Sequence, residues 1–142
     1  HLIGPLQTNK VKLALSIFNT IQSIDRPKLV KEISKQIDSS DKIKTKNYYI
    51  QVNIGEESQK AGTSINETRD LYQYAISENL EISGLMCIPP FEVKPDSYFK
   101  KMIELRDDID PKLKLSMGMS NDYEVALSYQ SDLVRVGSRI FV

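Results

Sequence analysis

The chain has no tryptophan, one cysteine and one histidine among its 142 residues, and nineteen basic residues balance nineteen acidic ones. The lone cysteine, Cys87, cannot form an internal disulfide, and one histidine and one cysteine are too few for a zinc site of the Cys/His type. The balanced charge provides no overall field that would attract nucleic acid or an anionic membrane. The composition therefore indicates a reducing compartment and argues against a basic nucleic-acid-binding protein.

Long apolar runs are also missing from the sequence. No segment has the length of a membrane-spanning helix, and no signal-peptide pattern, P-loop or nucleophile elbow occurs. We therefore expect a cytoplasmic protein. The 40% hydrophobic and 27% charged content are ordinary for a globular protein, and the length suits one domain over residues 1–142.

Strand-like and helix-like patterns alternate along almost the whole chain. The clearest strand covers residues 48–54, where apolar residues recur at every second position. Capping-box spacing predicts helix starts at Ser64 with Glu67 and at Asn121 with Glu124. The full pattern predicts five helices and six strands, the strands at residues 2–4, 21–24, 48–54, 82–88, 113–115 and 133–136.

This alternation predicts the α/β class, with a parallel sheet whose strands are connected by helices. A complete (β/α)₈ barrel usually needs about 250 residues, so six parallel strands would form a partial TIM-like barrel. An open doubly wound sheet is the alternative, but no glycine-rich dinucleotide loop follows the first strand. We expect the partial barrel, with an exposed parallel edge on each side.

Two glycine-containing segments, residues 116–122 and 134–139, follow the last two predicted strands. Each offers backbone N–H groups and a hydroxyl group, which together can hold a phosphate. Because the carboxyl ends of parallel strands meet at one edge of the sheet, the two segments should be neighbours. The sequence therefore predicts a site for a phosphorylated ligand at this edge.

Individual residues of this edge are open to more than one interpretation. Strand alternation puts Arg135 and Gly137 on one face, where Arg135 either meets a ligand or pairs with a nearby carboxylate. Ser120 either contacts a phosphate or caps the next helix, and the two roles are compatible. Asn53, at the end of an earlier strand, either points into the mouth of the barrel, which is the opening at the carboxyl ends of the strands, or forms a turn. We predict that Arg135, Ser120, Gly137 and Ser138 converge on one pocket.

Five segments of the chain resemble the signature segments of the pyridoxal-phosphate homeostasis proteins, in the same order. These proteins have a barrel like the N-terminal domain of alanine racemase. The segments are HLIGPLQTNK at residues 1–10, QVNIGEESQKAG at 51–62, GLMCIPP at 84–90, LSMGMSND at 115–122 and VRVGS at 134–138.

The resemblance implies that the chain binds pyridoxal 5′-phosphate (PLP). It implies that Arg135 faces the pyridine nitrogen, that Ser120, Gly137 and Ser138 hold the phosphate, and that Met119 lines the pocket. Family members anchor the cofactor through a Schiff-base lysine on their first strand, in a segment that this sequence does not contain. We therefore expect the chain to be the C-terminal portion of a PLP-binding barrel, without its first two βα units.

The function implied is intracellular PLP homeostasis, in which the protein buffers the cofactor or delivers it to PLP-dependent enzymes without robust catalysis. A full-length protein of this kind is expected to be a monomer. The alternative is a PLP-dependent amino-acid racemase on the same barrel, although such enzymes carry a second, β-rich domain. A third possibility, a barrel enzyme for another phosphorylated metabolite, does not explain the five segments together.

Overall fold

The computed structural model describes residues 1–91 and 93–141, so Glu92 and Val142 of the predicted domain lie outside the described residues. A 3₁₀ turn at Thr8–Lys10 precedes the first α-helix. The regular elements are, in chain order, α1 (Val11–Ile17), β1 (Thr20–Ile24), α2 (Pro27–Ser39), β2 (Asn47–Val52), α3 (Ile65–Ser77), β3 (Gly84–Cys87), α4 (Asp96–Ile109), β4 (Lys114–Met119), α5 (Tyr123–Ser128) and β5 (Leu133–Arg135).

The five strands form one parallel sheet in the order β1-β2-β3-β4-β5, which confirms the α/β class. A hydrogen bond from Ser116 of β4 to Gln22 of β1 shows that the sheet is strongly curled. In a flat sheet these strands would lie about 14 Å apart, at roughly 4.8 Å per strand. The curled sheet is therefore part of a barrel, as expected. None of the described helices is long and apolar enough to cross a membrane.

The prediction of six strands was wrong, since the described residues form five. The predicted first strand, residues 2–4, is reduced to a single bridge between Leu2 and Ile21. Leu2 donates to the carbonyl of Thr20 at 2.9 Å and accepts from Gln22 N–H at 2.8 Å. Gly4 is the next residue whose N–H would face β1, and it makes no backbone hydrogen bond there, so the pairing ends after one residue.

The predicted helix starts had different outcomes. Ser64 caps α3 as expected, because its Oγ accepts the Glu67 N–H at 3.3 Å. The predicted start of α5 at Asn121 was wrong: the helix begins at Tyr123, with Asp122 at the N-cap position. The Asp122 carboxylate instead accepts the Met119 N–H at 2.6 Å. Asp122 therefore fixes the end of β4 rather than the first turn of α5.

The two faces of the sheet have different characters. The outer face packs against the helices and contains the neighbouring residues Ile50, Leu85 and Leu115, all fully buried. The inner face lines the curled interior and contains the neighbouring row Gln51, Met86 and Ser116. Strand alternation puts the polar side chain of Gln51 on the side opposite to Ile50, yet Gln51 is only 7% exposed. Curling explains the difference, because it buries both faces of a parallel sheet.

Close packing on the inner face explains one glycine. Gly84 lies between Tyr49 and Lys114 in the row of paired residues. A Cβ atom at this position would collide with the Lys114 carbonyl oxygen and with the Tyr49 ring. The backbone oxygen cannot move without breaking the pairing of β3 with β4, so only glycine fits here.

We predict that Gly84→Ala lowers the free energy of unfolding by about 1–3 kcal/mol, the usual cost of overpacking. Urea unfolding followed by circular dichroism would measure the loss. Gly4→Ala is the matched control, because a Cβ there meets no atom within 4 Å. Equal stability of the two variants would contradict this account of the inner face.

A second prediction concerns alkaline pH. Burial raises the pKa of the Cys87 thiol from 9.0 to about 12. Because the pKa of the thiol in the folded state lies above its value in the unfolded state, the contribution of the buried thiol to stability is complete below pH 9. It is lost as the pH rises towards 12. The stability advantage of the wild type over Cys87→Ala should therefore shrink by about 2 kcal/mol between pH 8 and pH 10.5. Urea titrations of both proteins measure this, and a constant difference would refute it.

Candidate functional site

Arg135 ends β5 and extends its side chain over the inner face of the sheet. Its Nη1 donates to Ser116 Oγ at 2.6 Å, and its Nη2 donates to the Cys87 carbonyl at 2.7 Å. Its Nε donates to Met119 Sδ at 3.3 Å. These acceptors belong to β3 and β4, so contacts to two strands fix the plane of the guanidinium.

The charge of Arg135 has no carboxylate partner among the residues that the structure describes, since none of their ion pairs includes it. Its predicted pairing with a carboxylate is therefore absent there. Burial lowers the pKa of the guanidinium, while Cys87 and the Asp122 carboxylate raise it. An arginine nonetheless stays protonated at neutral pH. The inner face thus holds a positive charge that three neutral acceptors orient.

Ser120 and Gly137 connect the two segments that follow β4 and β5. The Gly137 N–H donates to Ser120 Oγ at 3.1 Å. Ser120 does not cap α5, whose N-cap residue is Asp122. Its hydroxyl accepts the Gly137 bond and keeps its own proton for another acceptor. A Cβ atom at Gly137 would meet nothing within 4 Å, so there is open space beside this amide.

The segment 116–122 is more regular than the sequence indicated. β4 continues through Met119, so only residues 120–122 form the loop. Gly118 sits in the strand with φ of +100°, a conformation that side chains disfavour, and a Cβ there would approach Ala126 Cβ at 2.6 Å. This irregularity shifts the register with β5 and positions Met119 beside Arg135.

Ser138 and Asn53 lie apart from these contacts. Ser138 is exposed, in a turn that is closed by a 2.9 Å bond from Ile140 N–H to the Gly137 carbonyl. Asn53 makes a turn, because its Nδ2 donates to the Glu57 carbonyl at 2.8 Å and its Oδ1 accepts Glu57 N–H at 3.2 Å. The side-chain nitrogen and oxygen of Asn53 are therefore both bonded to Glu57, although Asn53 also lines a cavity of 400 Å³ at the mouth.

Two smaller clefts flank the end of β4. One, of 290 Å³, is lined by Met119, Asp122 and the apolar segment 88–91. The other, of 180 Å³, includes Ser120, Glu124 and Arg139. The carboxylates of Asp122 and Glu124 in this cleft would repel an anion. Arg139 lies 4.0 Å from Glu124. No group of three or more metal-binding side chains occurs in residues 1–91 and 93–141.

Sequence reasoning missed two residues that hold Arg135. Ser116 was included only as part of a loop, and Gln22 was treated as an ordinary strand residue. Gln22 is 1% exposed and Ser116 is fully buried. A glutamine in a short strand between two isoleucines was the one available signal, because a buried amide needs a polar partner.

Comparison with known proteins bears on this arrangement. No family model matches the chain. It is 37% identical to the pyridoxal phosphate homeostasis protein of Aquifex aeolicus and 35% identical to that of Haemophilus influenzae, in each case over 99% of the chain. The chain spans 65% and 63% of the length of these two relatives, which is slightly less than two thirds.

Solved structures agree with the sequence comparison. PipY of Synechococcus elongatus is 27% identical and superposes with TM-scores of 0.86 without PLP and 0.81 with PLP bound, over 100% of this chain and 70% or 69% of PipY. An alanine racemase of Clostridium difficile, at 14% identity and a TM-score of 0.70 over 96% of this chain and 37% of its own, shows the shared fold alone. The resemblance found in the five segments is thus confirmed: over almost its whole length, the chain is similar in sequence and fold to the pyridoxal phosphate homeostasis proteins.

Proposed function

We propose that this chain is part of a PLP-binding protein that buffers the cofactor inside the cell and delivers it to PLP-dependent enzymes. The observation that carries the proposal is Arg135, a largely buried cation oriented by three neutral acceptors at the carboxyl end of β5. The names of the relatives and the PLP-bound PipY structure support the choice of ligand.

The residues present fit this cofactor. Arg135 has five N–H groups, of which three have partners among the described residues, so either of the other two could donate to a pyridine nitrogen. Ser120 has a free hydroxyl proton for a phosphate oxygen, and space lies beside Gly137. The Gly137 N–H is already bonded to Ser120, so its contact with phosphate would have to share or replace that bond. Met119 and the more distant Ser138 and Asn53 complete the proposed set.

The position of Arg135 is compatible with a carrier. When bound, PLP supplies an electron-withdrawing ring, which is a stronger electron sink when its nitrogen is protonated. A guanidinium beside that nitrogen disfavours its protonation, because two positive charges would meet. Racemases of this fold share the feature, so it does not by itself separate the two functions. The names of the relatives, which refer to homeostasis and not to a reaction, support the carrier.

Further parts of the proposal concern the whole protein. The chain would form the C-terminal portion of a single PLP-binding barrel, which is a monomer when complete. It would work in the cytoplasm, where Cys87 stays reduced. Its recipients would be PLP-dependent enzymes, and it would bind neither nucleic acid nor membranes.

We predict that Arg135→Met weakens PLP binding about 10-fold or more, the effect expected when a hydrogen bond to a charged group is lost. Equilibrium dialysis with absorbance detection would give the dissociation constants. Arg69→Met is the matched control, because Arg69 is an exposed arginine of α3 that pairs with Asp108. No saturable binding by the wild type, or equal loss in both variants, would refute the proposed site.

Borohydride reduction of the PLP-loaded chain tests the mode of attachment. We expect no reduced adduct on a specific lysine within residues 1–142, because no strand of the described sheet ends in lysine at the mouth. Lys60 is the lysine to examine, since it lines the 400 Å³ cavity. Its Nζ lies 2.6 Å from Glu57 Oε2 and 3.5 Å from the Pro89 carbonyl oxygen, so the amine already has two partners. A stoichiometric adduct on Lys60 in the peptide map would contradict reversible binding.

A racemisation assay separates the carrier from the enzyme. We expect the chain with PLP to racemise alanine no faster than free PLP does. A rate well above that of free PLP, abolished by Arg135→Met, would favour the racemase alternative.

A further inference from the structure

The interior of the curled sheet contains a continuous chain of hydrogen bonds that crosses from one side to the other. Arg135 of β5 donates to Ser116 of β4, and Ser116 is bonded to Gln22 of β1. Gln22 Nε2 lies 2.9 Å from His1 Nδ1, where the chain of bonds ends. Its members come from both ends of the sequence, and they meet only because the sheet curls.

The direction of each bond follows from the chemistry of the groups. A guanidinium can only donate, so Ser116 Oγ must accept from Arg135. Ser116 then has one proton to give, and it donates that proton to Gln22 Oε1. This leaves Gln22 Nε2 to donate to the His1 ring nitrogen. Reversing the Gln22 amide would place two donors on Ser116 and leave its own proton without an acceptor, so the observed direction satisfies more groups.

We infer that Ser116 and Gln22 are positioning residues that hold the Arg135 guanidinium in the orientation needed by the ligand. A fully buried hydroxyl is costly unless it is hydrogen-bonded, and Ser116 meets this requirement by accepting from a cation and donating to an amide. Gln22 prevents Ser116 from turning its proton towards Arg135. The two residues together convert a long, flexible side chain into a fixed donor.

A neighbouring serine shows that burial of a hydroxyl on this sheet does not by itself create such a contact. Ser23 follows Gln22 in β1 and is 1% exposed, yet its Oγ has no hydrogen-bond partner among the described residues. Strand alternation places Ser23 on the face opposite to Gln22. Ser23→Ala therefore removes a buried hydroxyl from the same region without touching Arg135, and it is the matched control.

The first measurement does not need a ligand. Side-chain ¹⁵N NMR of arginine reports rotation of the guanidinium, and Arg135→Met assigns the signals. We expect slow rotation about the Arg135 Cζ–Nη1 bond in the wild type and in Ser23→Ala. We expect at least 10-fold faster rotation in Ser116→Ala, with faster rotation also in Gln22→Met. Gln22→Glu keeps an oxygen acceptor for Ser116 and should rotate as slowly as the wild type.

The second measurement rests on the proposed function, because it uses PLP as the probe. Ser116→Ala should bind PLP about 10-fold more weakly than the wild type, while Ser23→Ala should bind equally well. PLP binding should be weaker in Gln22→Met than in the wild type, and Gln22→Glu should bind as well as the wild type. The absorbance of bound PLP as a function of pH provides a further readout, because a loosened guanidinium should raise the apparent pKa of the ring nitrogen.

The outcomes distinguish this inference from the proposed function. Unchanged rotation and unchanged PLP affinity in both Ser116→Ala and Gln22→Met would overturn the positioning role, while PLP binding by the wild type would stand. Faster rotation in these variants, together with a wild type that does not bind PLP, would support the positioning role and overturn the proposed ligand. If Ser116→Ala fails to fold, the comparison of Gln22→Met with Gln22→Glu decides.

Discussion

A guanidinium can be taken out of water inside a protein only if its N–H groups find acceptors and its plane is fixed by them. The interior of this sheet meets that demand for Arg135 with a hydroxyl, a backbone carbonyl and a thioether, supplied by β3 and β4. Because these acceptors are neutral, they orient the side chain without cancelling its charge. The irregular end of β4 is part of this arrangement, because it places one of the acceptors, Met119, beside the guanidinium.

The sheet can support a polar interior because its stability comes from the other face. The outer residues of the strands pack with the helices into one hydrophobic cluster, whose fully buried members include Ile50, Leu85, Leu115 and Phe99. Burial of this apolar surface is the main driving force for folding. The inner face is thereby free to carry polar side chains. Gln22 and Ser116 are hydrogen-bonded to each other, whereas Gln51 Oε1 has no partner among the described residues.

A binding protein and an enzyme can share this frame, since fold does not determine function. The distinction lies in what surrounds the cofactor. Here the described residues include a cation at the carboxyl end of β5 and a hydroxyl group on the neighbouring loop, with the carboxylates of Asp122 and Glu124 in the cleft beside that hydroxyl. In the proposed function, the cation meets the ring of the ligand and the hydroxyl meets its phosphate.

The sequence by itself determined the class of fold, and it placed the candidate site at the carboxyl ends of the last two strands. Hydrophobic periodicity indicated most of the strands and helices, since each buries an apolar face, and five segments resembled those of the pyridoxal phosphate homeostasis proteins. Short elements escaped this reasoning: the pattern at Leu2 matched a strand, but its pairing with β1 stops after one residue. The start of α5 was also misplaced. Asp122 accepts the Met119 N–H at the end of β4, and the helix begins only at Tyr123.

Only the tertiary structure decided which polar residues act together. Gln22 and Ser116 are 94 residues apart in the sequence, and no local pattern connects them. Their contact depends on the curvature of the sheet, which arises from strand twist and helix packing summed over five strands. Periodicity assigns a residue to a face, but it contains no information on which residues of that face meet across the barrel. The partners of Arg135 were therefore visible only in the folded chain.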